Sequence, residues 1–472
     1  MPKYVSDKLN ALIITTISSF LVPFMASSVI IALPAIGRHF QMDAIIIAWV
    51  STAYILTSAA LLVPLGRFSD IHGRKRIFLT GYIVFFAGSL LSAFAPTSSL
   101  FLLSRVVQGL GASAVVATAV AILTAAFPKH LRGRVLGINA AAVYFGLSVS
   151  PLLGGLLTGQ LGWKSIFLVS AALCLAMSVA TALVLPEYGE TRKERFDLKG
   201  TIIYAATLTV FMYGLSILPS ETGLWLIGGG ICGGLFFVWW ETRSAFPLVD
   251  FRLFRRNRVF TFSNIAALVH YSGTFSIAFL LSLYLQYAKG LTAEKAGLVL
   301  ITSPVVQAVF SPIFGRLSDR IEPRLLSSAG MAVTSIGILA LSFLEADTYL
   351  AYIVVSQAVI GFGFAMFASP NTNAIMSSVD RSSLGFASAT VGTMRQLGMT
   401  LSMGMAMVVF ALVMGKVEIT PERYPAFITS VHIIFSIASA MCFAAIFASL
   451  SRGNIHNKTV REATGGDSEP RP

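Results

Sequence analysis

The stretch Leu102 to Ser113, LLSRVVQGLGAS, sets an arginine and a glutamine among residues that are otherwise apolar or small. Arg105 carries a fixed fork of N–H donors and keeps its charge at neutral pH. Gln108, three residues on, would share its face of a helix. Arg395 stands beside Gln396 in MRQLGMTLSMG, and His270 stands beside Tyr271. Histidine is the side chain whose ordinary pKa, about 6.5, lies nearest neutrality. Such groups can hold an anion, pass a proton or pair with a carboxylate. Inside a membrane each costs at least about 2.5–3.5 kcal/mol on insertion scales, so each is expected to face a cavity or a partner.

The setting of these residues is a membrane protein. Of 472 residues, 56% are hydrophobic and only 12% charged, against about a quarter charged in soluble domains. A span needs about 20 mostly apolar residues. The sequence predicts fourteen, at 9–34, 45–65, 77–95, 99–123, 135–158, 164–185, 199–218, 222–240, 259–287, 296–314, 326–344, 349–376, 385–413 and 426–450. The first run is too long for the core of a signal peptide and is read as span 1. The formal charge of +13 does not point to nucleic acid, because the basic residues sit in short loops between apolar runs. Cys174, Cys232 and Cys442 all fall in apolar runs and read as small core residues without a disulfide. The five glycines Gly228, Gly229, Gly230, Gly233 and Gly234 of span 8 read as close helix packing.

Orientation follows from lysine and arginine. The N-terminus and every second connector together hold 26 of the 34 such residues, the other side holds six, and Arg105 and Arg395 lie in spans. The positive-inside rule then places both termini in the cytoplasm of a multi-pass cell-membrane protein.

One connector is repeated. GRFSDIHGRKR (Gly66 to Arg76) follows span 2, and GRLSDRIEPRL (Gly315 to Leu325) follows span 10, with Pro64 and Pro312 shortly before. Two copies of one orientation imply parallel repeats that rock about a central site. The plan is 6+2+6: residues 1–198 a six-helix bundle, 199–258 two linker spans with a basic loop, 259–450 a second six-helix bundle, and 451–472 a disordered tail. In the first copy the glycines permit a tight turn. Asp70 can accept backbone N–H groups or pair with an arginine. In the second copy Glu322 and Pro323 replace the equivalents of Gly73 and Arg74.

GRFSDIHGRKR resembles the loop 2–3 motif of the major facilitator superfamily. LLSRVVQGLGAS is similar to its span 4 motif through Arg105, Gln108, Gly109 and Gly111, and GLSVSPLLGG to its span 5 antiporter motif through Gly146, Pro151, Gly154 and Gly155. ALPAIG, WVSTAYILTSA, LGWKSIF, PLVDFRLFRRNRVF, YLQYAKGLTAEKAGL and MRQLGMTLSMG resemble stretches of its fourteen-span drug:proton antiporter branch. The sequence departs from that pattern at Ser150 and Asn139, where glycines are usual, and in span 1, where Met25 stands in place of a common aspartate and Ile30 in place of a common asparagine. The resemblance implies an all-α major facilitator fold of two six-helix bundles with two additional spans. It implies a latch in which Gly66, Asp70, Gly73 and Arg74 act on the cytoplasmic side, with Asp70 and Arg74 bridging the halves and stabilising the outward-open form. It also implies a role for the span 4 arginine in proton coupling or substrate contact.

None of the 21 acidic residues falls deep in a span as drawn. The substrate or proton pathway is therefore expected to be lined by Arg105, Gln108, Tyr54, Asn139, Tyr144, His270, Gln307, Gln357, Asn371, Asn373 and Arg395, with Pro370 interrupting span 12 before its two asparagines. Arg105 has an alternative structural role, held by helix carbonyls and glutamine side chains. No metal-ligand spacing, nucleotide loop or paired carboxylates occur, so an enzyme, a cofactor and a metal are not expected. The expectation is a monomeric secondary transporter, exporting drugs or other small amphipathic molecules by alternating access with protons as the coupling ion. The alternative is an organic anion or metabolite carried without a span 1 carboxylate. Coupling would run through His270, or the arginines would make the cavity electropositive and favour neutral or anionic cargo.

Overall fold

A chain crossing a bilayer must pair its backbone N–H and C=O groups within itself, and helices do so locally. The computed structural model describes residues 3–128, 131–188, 196–244, 248, 251–379 and 384–453. Among the described residues, fourteen helices are long and apolar enough to cross a membrane. In chain order they are spans 1 to 14: Asp7–Phe40, Ala44–His72, Arg74–Phe94, Ser98–Ala126, Gly137–Leu161, Lys164–Val184, Leu198–Ser216, Glu221–Arg243, Arg258–Ala288, Ala293–Leu317, Pro323–Leu341, Leu350–Ser377, Phe386–Val413 and Pro421–Leu450. They correspond one for one with the expected spans. Lys129, Arg192, Lys193, Arg195, Arg381 and the tail from 454 onward lie outside the described residues.

Two proline expectations are corrected. Span 1 does not stop at Pro34 but continues as helix to Phe40, and Pro370 lies inside a helix unbroken from Leu350 to Ser377. A proline removes one N–H and frees the carbonyl four residues back. A helix survives this when another element satisfies the freed group, and span 1 is such a case. Spans 9 and 10 are less regular. Span 9 is interrupted at Phe275 and ends in one π turn, Tyr284–Ala288, and span 10 is interrupted at Ile301, three residues before Pro304.

The helix neighbours repeat. Span 1 lies along span 5, span 2 along span 4, and span 3 between spans 4 and 6. In the same order, span 9 lies along span 13, span 10 along span 12, and span 11 between spans 12 and 14. The two bundles meet along two seams, span 2 against span 13 and span 5 against span 10. Spans 7 and 8 pair with each other at the periphery, where span 7 touches spans 2 and 13. They are the least buried of the fourteen. Only part of the span 8 glycine run serves packing: a Cβ at Gly230 or Gly233 would stand 2.6 Å from Phe211 or Thr207, whereas one at Gly228 or Gly229 would meet nothing within 4 Å. Cys232 is likewise exposed there rather than in a core, while Cys174 and Cys442 are buried; all three are free thiols.

Arg105 organises the first bundle. It is 2% exposed, and neutral groups meet its charge. Its Nε donates to Val50 O of span 2 (3.1 Å), its Nη1 donates to Gln108 Oε1, and its guanidinium lies 4.7 Å from the centre of the Tyr54 ring. The Gln108 amide passes the chain on to Ser89 Oγ of span 3 (2.8 Å). Gly109 and Gly111 permit the approach: a Cβ at Gly109 would stand 2.6 Å from Tyr54 O, and one at Gly111 2.6 Å from Phe85 N. LLSRVVQGLGAS is thus the junction of spans 2, 3 and 4. Arg105→Leu removes the tie to span 2 and leaves Gln108 Oε1 without its donor, which costs about 1–3 kcal/mol. The expected readout is a lower thermal unfolding midpoint of the purified protein; a midpoint equal to the parent's would show that the tie carries no stability.

Candidate functional site

The bundles enclose a cavity of ≈130 Å³ at the seam between them, lined by residues of spans 1, 5, 9, 10 and 12. It sits within the membrane, nearer the face opposite the chain termini. Apolar side chains form most of its wall, among them Ile30, Ile277, Ile360 and Phe364. Its polar lining is Ser27, Thr274, Ser303, Gln307 and Gln357, and no lining residue is ionisable. The Thr274 hydroxyl is already committed to His270 O (2.9 Å).

Towards the face opposite the termini, the halves interlock through backbone carbonyls of span 1. Pro34 has no N–H, so Ile30 O lacks its helical donor. Ser282 Oγ of span 9 supplies one at 2.8 Å. Gln286 Nε2 donates to Ile31 O (2.9 Å) and Tyr287 OH to Pro34 O (3.2 Å), both from the π turn that ends span 9. The Arg38 guanidinium caps this layer, 5.3 Å from the centre of the Tyr287 ring. The second seam closes through small residues. A Cβ at Gly155 of span 5 would stand 2.6 Å from Ala293 O of span 10, Gly297 of span 10 abuts Pro151 O, and Ser148 Oγ donates to Pro304 O (3.0 Å). Gly146 and Gly154 abut span 1 at Phe20 and Ser28. Ser150 Oγ donates to Leu147 O (3.0 Å), the carbonyl that Pro151 frees. The span 5 motif residues therefore pack on span 1 and seal the seam with span 10.

On the side of the cavity towards the termini lies Arg395. It is partly exposed and close enough to Tyr271 and Tyr144 to interact with both electrostatically. The Tyr271 ring stands 5.5 Å from that of Phe364, so one aromatic layer separates Arg395 from the cavity. Neighbouring Gln396 crosses the other seam to Ser58 Oγ of span 2 (2.9 Å). Every carboxylate in the fourteen spans lies within three residues of a span end.

The expected pathway residues are thus divided. Gln307 and Gln357 line the cavity, as does Pro151 of the span 5 motif, whereas Tyr144 and Arg395 interact with each other outside its lining. Tyr54, Arg105 and Gln108 are enclosed in the first bundle and do not reach it. His270 is fully buried between Phe367 (ring centres 4.1 Å apart) and Phe364 (5.0 Å), with neither ring nitrogen hydrogen-bonded. Asn139 is buried with its Oδ1 unpartnered. Asn371 and Asn373 sit at the terminal end of span 12. Asn371 Nδ2 donates to Ser263 O (3.1 Å) and its Oδ1 accepts from Arg452 Nη1 (2.8 Å), while Asn373 Nδ2 donates to Ser318 Oγ (2.9 Å) and to Asp319 (3.2 Å).

Arg452 carries no signal in the sequence, being one of several basic residues after span 14. It is 1% exposed and ties spans 9 and 12 to the end of span 14, so the first residues of the expected tail are packed rather than disordered. Burial pushes its guanidinium down to about 10, against the opposing pull of Glu322, so it stays charged at neutral pH. Sequence reasoning also misses Ser282 and Gln286. Their signal is Pro34 itself, since a proline inside a span requires a donor from elsewhere for the carbonyl it frees.

The bridging latch that the resemblance implies belongs to the outward-open form, and in this structure its residues bond within the first bundle. Asp70 pairs with Arg74 (2.7 and 2.9 Å), and Arg74 Nη1 donates to Ala121 O of span 4 (3.1 Å). Lys75 donates its backbone N–H to Glu187 (3.1 Å) and its ammonium to Ala182 O (3.0 Å). These partners all belong to the first bundle, so in this state Asp70 and Arg74 bind each other, not the other half. The pair is one helical turn apart across Gly73, whose φ of +102° suits glycine and lets span 3 start at once. A Cβ at Gly66 would meet only the Ala117 side chain, at 3.8 Å, and its carbonyl accepts from Ser69 Oγ (2.7 Å).

Comparison with known proteins bears on this architecture. The chain matches the Major Facilitator Superfamily family model twice, over residues 15–269 and 263–471. It is 28% identical over 438 residues to the riboflavin transporter RibZ of Clostridioides difficile (strain 630), covering 93% of this chain and 96% of that one. It is 31% identical over 404 residues to the cephamycin export protein CmcT of Amycolatopsis lactamdurans, covering 83% of each. Its fold matches the crystal structure of a bacterial homologue of the human lysosomal transporter Spinster, with a TM-score of 0.67 at 16% identity over 96% of this chain and 98% of that one. Two bundles of repeated helix order, a sealed seam, a cavity between the halves and these matches lead to one conclusion: the chain belongs to the Major Facilitator Superfamily and is a membrane-embedded secondary transporter, not an enzyme.

Proposed function

We propose that this protein exports small amphipathic molecules, neutral or anionic, by exposing its central cavity alternately to the two sides of the membrane. The bias of lysine and arginine makes the terminal face cytoplasmic. The observation that carries the charge preference is Arg395, a partly exposed guanidinium near Tyr271 and Tyr144, one aromatic layer from the cavity, in a protein whose spans hold carboxylates only at their ends. A lipophilic cation would meet a like charge there and no counter-charge. An anion leaving an inside-negative cell gains about 2.3 kcal/mol per charge per 100 mV without any proton. The names of the relatives support a small organic cargo, and the cephamycin exporter supports the outward direction. The interlock away from the termini, with Arg395 and Tyr144 partly exposed on the other side, supports a state open to the cytoplasm. In the opposite state the interlock parts, and Asp70 and Arg74 exchange partners across the bundles.

In a host lacking its own exporters, expression should lower the accumulation of an anionic amphipathic dye and leave that of a quaternary ammonium dye unchanged. Strong efflux of the quaternary dye contradicts the proposal.

A second reading, exchange for protons, is favoured by His270. Its two unpartnered ring nitrogens lie in a ring that packs on Phe364, a residue of the cavity wall, and on this reading a rotation of Phe364 opens the path between them. On this reading His270→Ala abolishes efflux driven by a pH gradient, and unchanged pH-driven efflux in that variant removes it.

A further inference from the structure

Polar groups buried in a protein are nearly always hydrogen-bonded. Three glutamines in the spans obey this: Gln108 bonds to Ser89, Gln286 to Ile31 O and Gln396 to Ser58. Gln357, which is buried, and Gln307, which is half-buried, form no such bond. Both line the cavity between the bundles, Gln357 is only 3% exposed, and neither amide has a partner among the described residues. The hydroxyls of Ser27 and Ser303 on the same wall are also unpaired among the described residues. Unpaired donors and acceptors from spans 1, 10 and 12 therefore converge on one void at the centre of the transporter.

Their chemistry restricts what fills that void. A primary amide presents a donor and an acceptor side by side. It matches an edge offering the complementary pair, as glutamine does on the adenine edge. The lining holds no ionisable group, so a charged head would be stripped of water and given no counter-charge. The volume of ≈130 Å³ is close to the roughly 150 Å³ of a cavity that takes benzene, so it holds one six-membered ring. Ile30, Ile277 and Phe364 supply apolar cover for the faces of such a ring.

We propose that Gln307 and Gln357 are the recognition residues of this transporter and that they read an uncharged ring with a cis-amide edge, such as a lactam or an imide. This rests on the reading of the protein as an exporter of small amphipathic molecules: the ring is the head that enters the cavity, and any acidic group of the cargo trails towards Arg395.

The test uses the full chain in lipid nanodiscs, with 2-pyridone, a single-ring lactam, and N-methyl-2-pyridone, which lacks the N–H, as probes. Empty nanodiscs correct for partitioning into lipid. The lactam is expected to bind about tenfold or more tightly than its N-methyl analogue. Gln307→Leu and Gln357→Leu should each remove that preference while leaving the weak binding of the N-methyl compound in place. Equal binding of the two probes to the unmodified protein, no binding of the lactam, or a full preference retained in both variants overturns the proposal, and the first two outcomes do not depend on any variant folding. The two readings fail separately. Selective lactam binding without its efflux from loaded proteoliposomes supports the site and contradicts export, whereas efflux of anionic dyes with no lactam binding overturns the site alone.

Discussion

A carbonyl without a donor is expensive inside a bilayer, and this protein is arranged around one such group. Pro34 leaves Ile30 O without its helical N–H, and the donor that restores it is Ser282, on the other half of the molecule. A local defect in span 1 thereby becomes an attachment between the bundles. Gln286 and Tyr287 extend it along the same stretch of backbone. Each bond is worth little net, about 0.5–1.5 kcal/mol, because water takes its place when the seam opens. That magnitude suits a seal that must open in every cycle. The seam between spans 5 and 10 relies mainly on close packing of glycines, so it too can part without leaving an ion unpaired.

The same constraint decides what the charged and polar residues do. Arg105 meets neither a carboxylate nor the cavity. Its donors are spent on a carbonyl and an amide, its face rests on an aromatic ring, and the result is a tie among three helices. Arg395 is different in kind, because it is partly exposed one aromatic layer from the cavity and no carboxylate lies near the middle of any span. Gln307 and Gln357 are different again, because their polar atoms have no partner among the described residues at the point where the halves meet. Satisfied groups mark architecture in this molecule, and on the proposed reading the unsatisfied ones facing the cavity mark cargo.

Much of this is legible in the amino-acid sequence. The fourteen spans appear as apolar runs of sufficient length, and the parallel repeat appears in GRFSD and GRLSD, because both depend on local composition and order. The roles of individual polar residues are not legible, because they depend on which neighbour each side chain meets. Helical spacing puts Arg105 and Gln108 on one face, but it is silent on the direction of that face, which points into the first bundle. Polarity and position put Asn371 on the pathway, yet it is held by Arg452, a residue 81 positions later that no pattern singles out. Resemblance supplies the latch residues, and only the folded arrangement reveals that Asp70 and Arg74 pair with each other in this state.

The central claim is that a path without carboxylates carries neutral or negative cargo and rejects cations. The direct measurement is flux through the purified protein in liposomes, with equal pH on both sides and a potassium diffusion potential of chosen sign. An anionic amphiphile is expected to move away from the negative compartment at a rate that rises with the potential, while tetraphenylphosphonium moves no faster than through protein-free liposomes. Protein-dependent movement of tetraphenylphosphonium, or anion flux that ignores the potential, would contradict the claim.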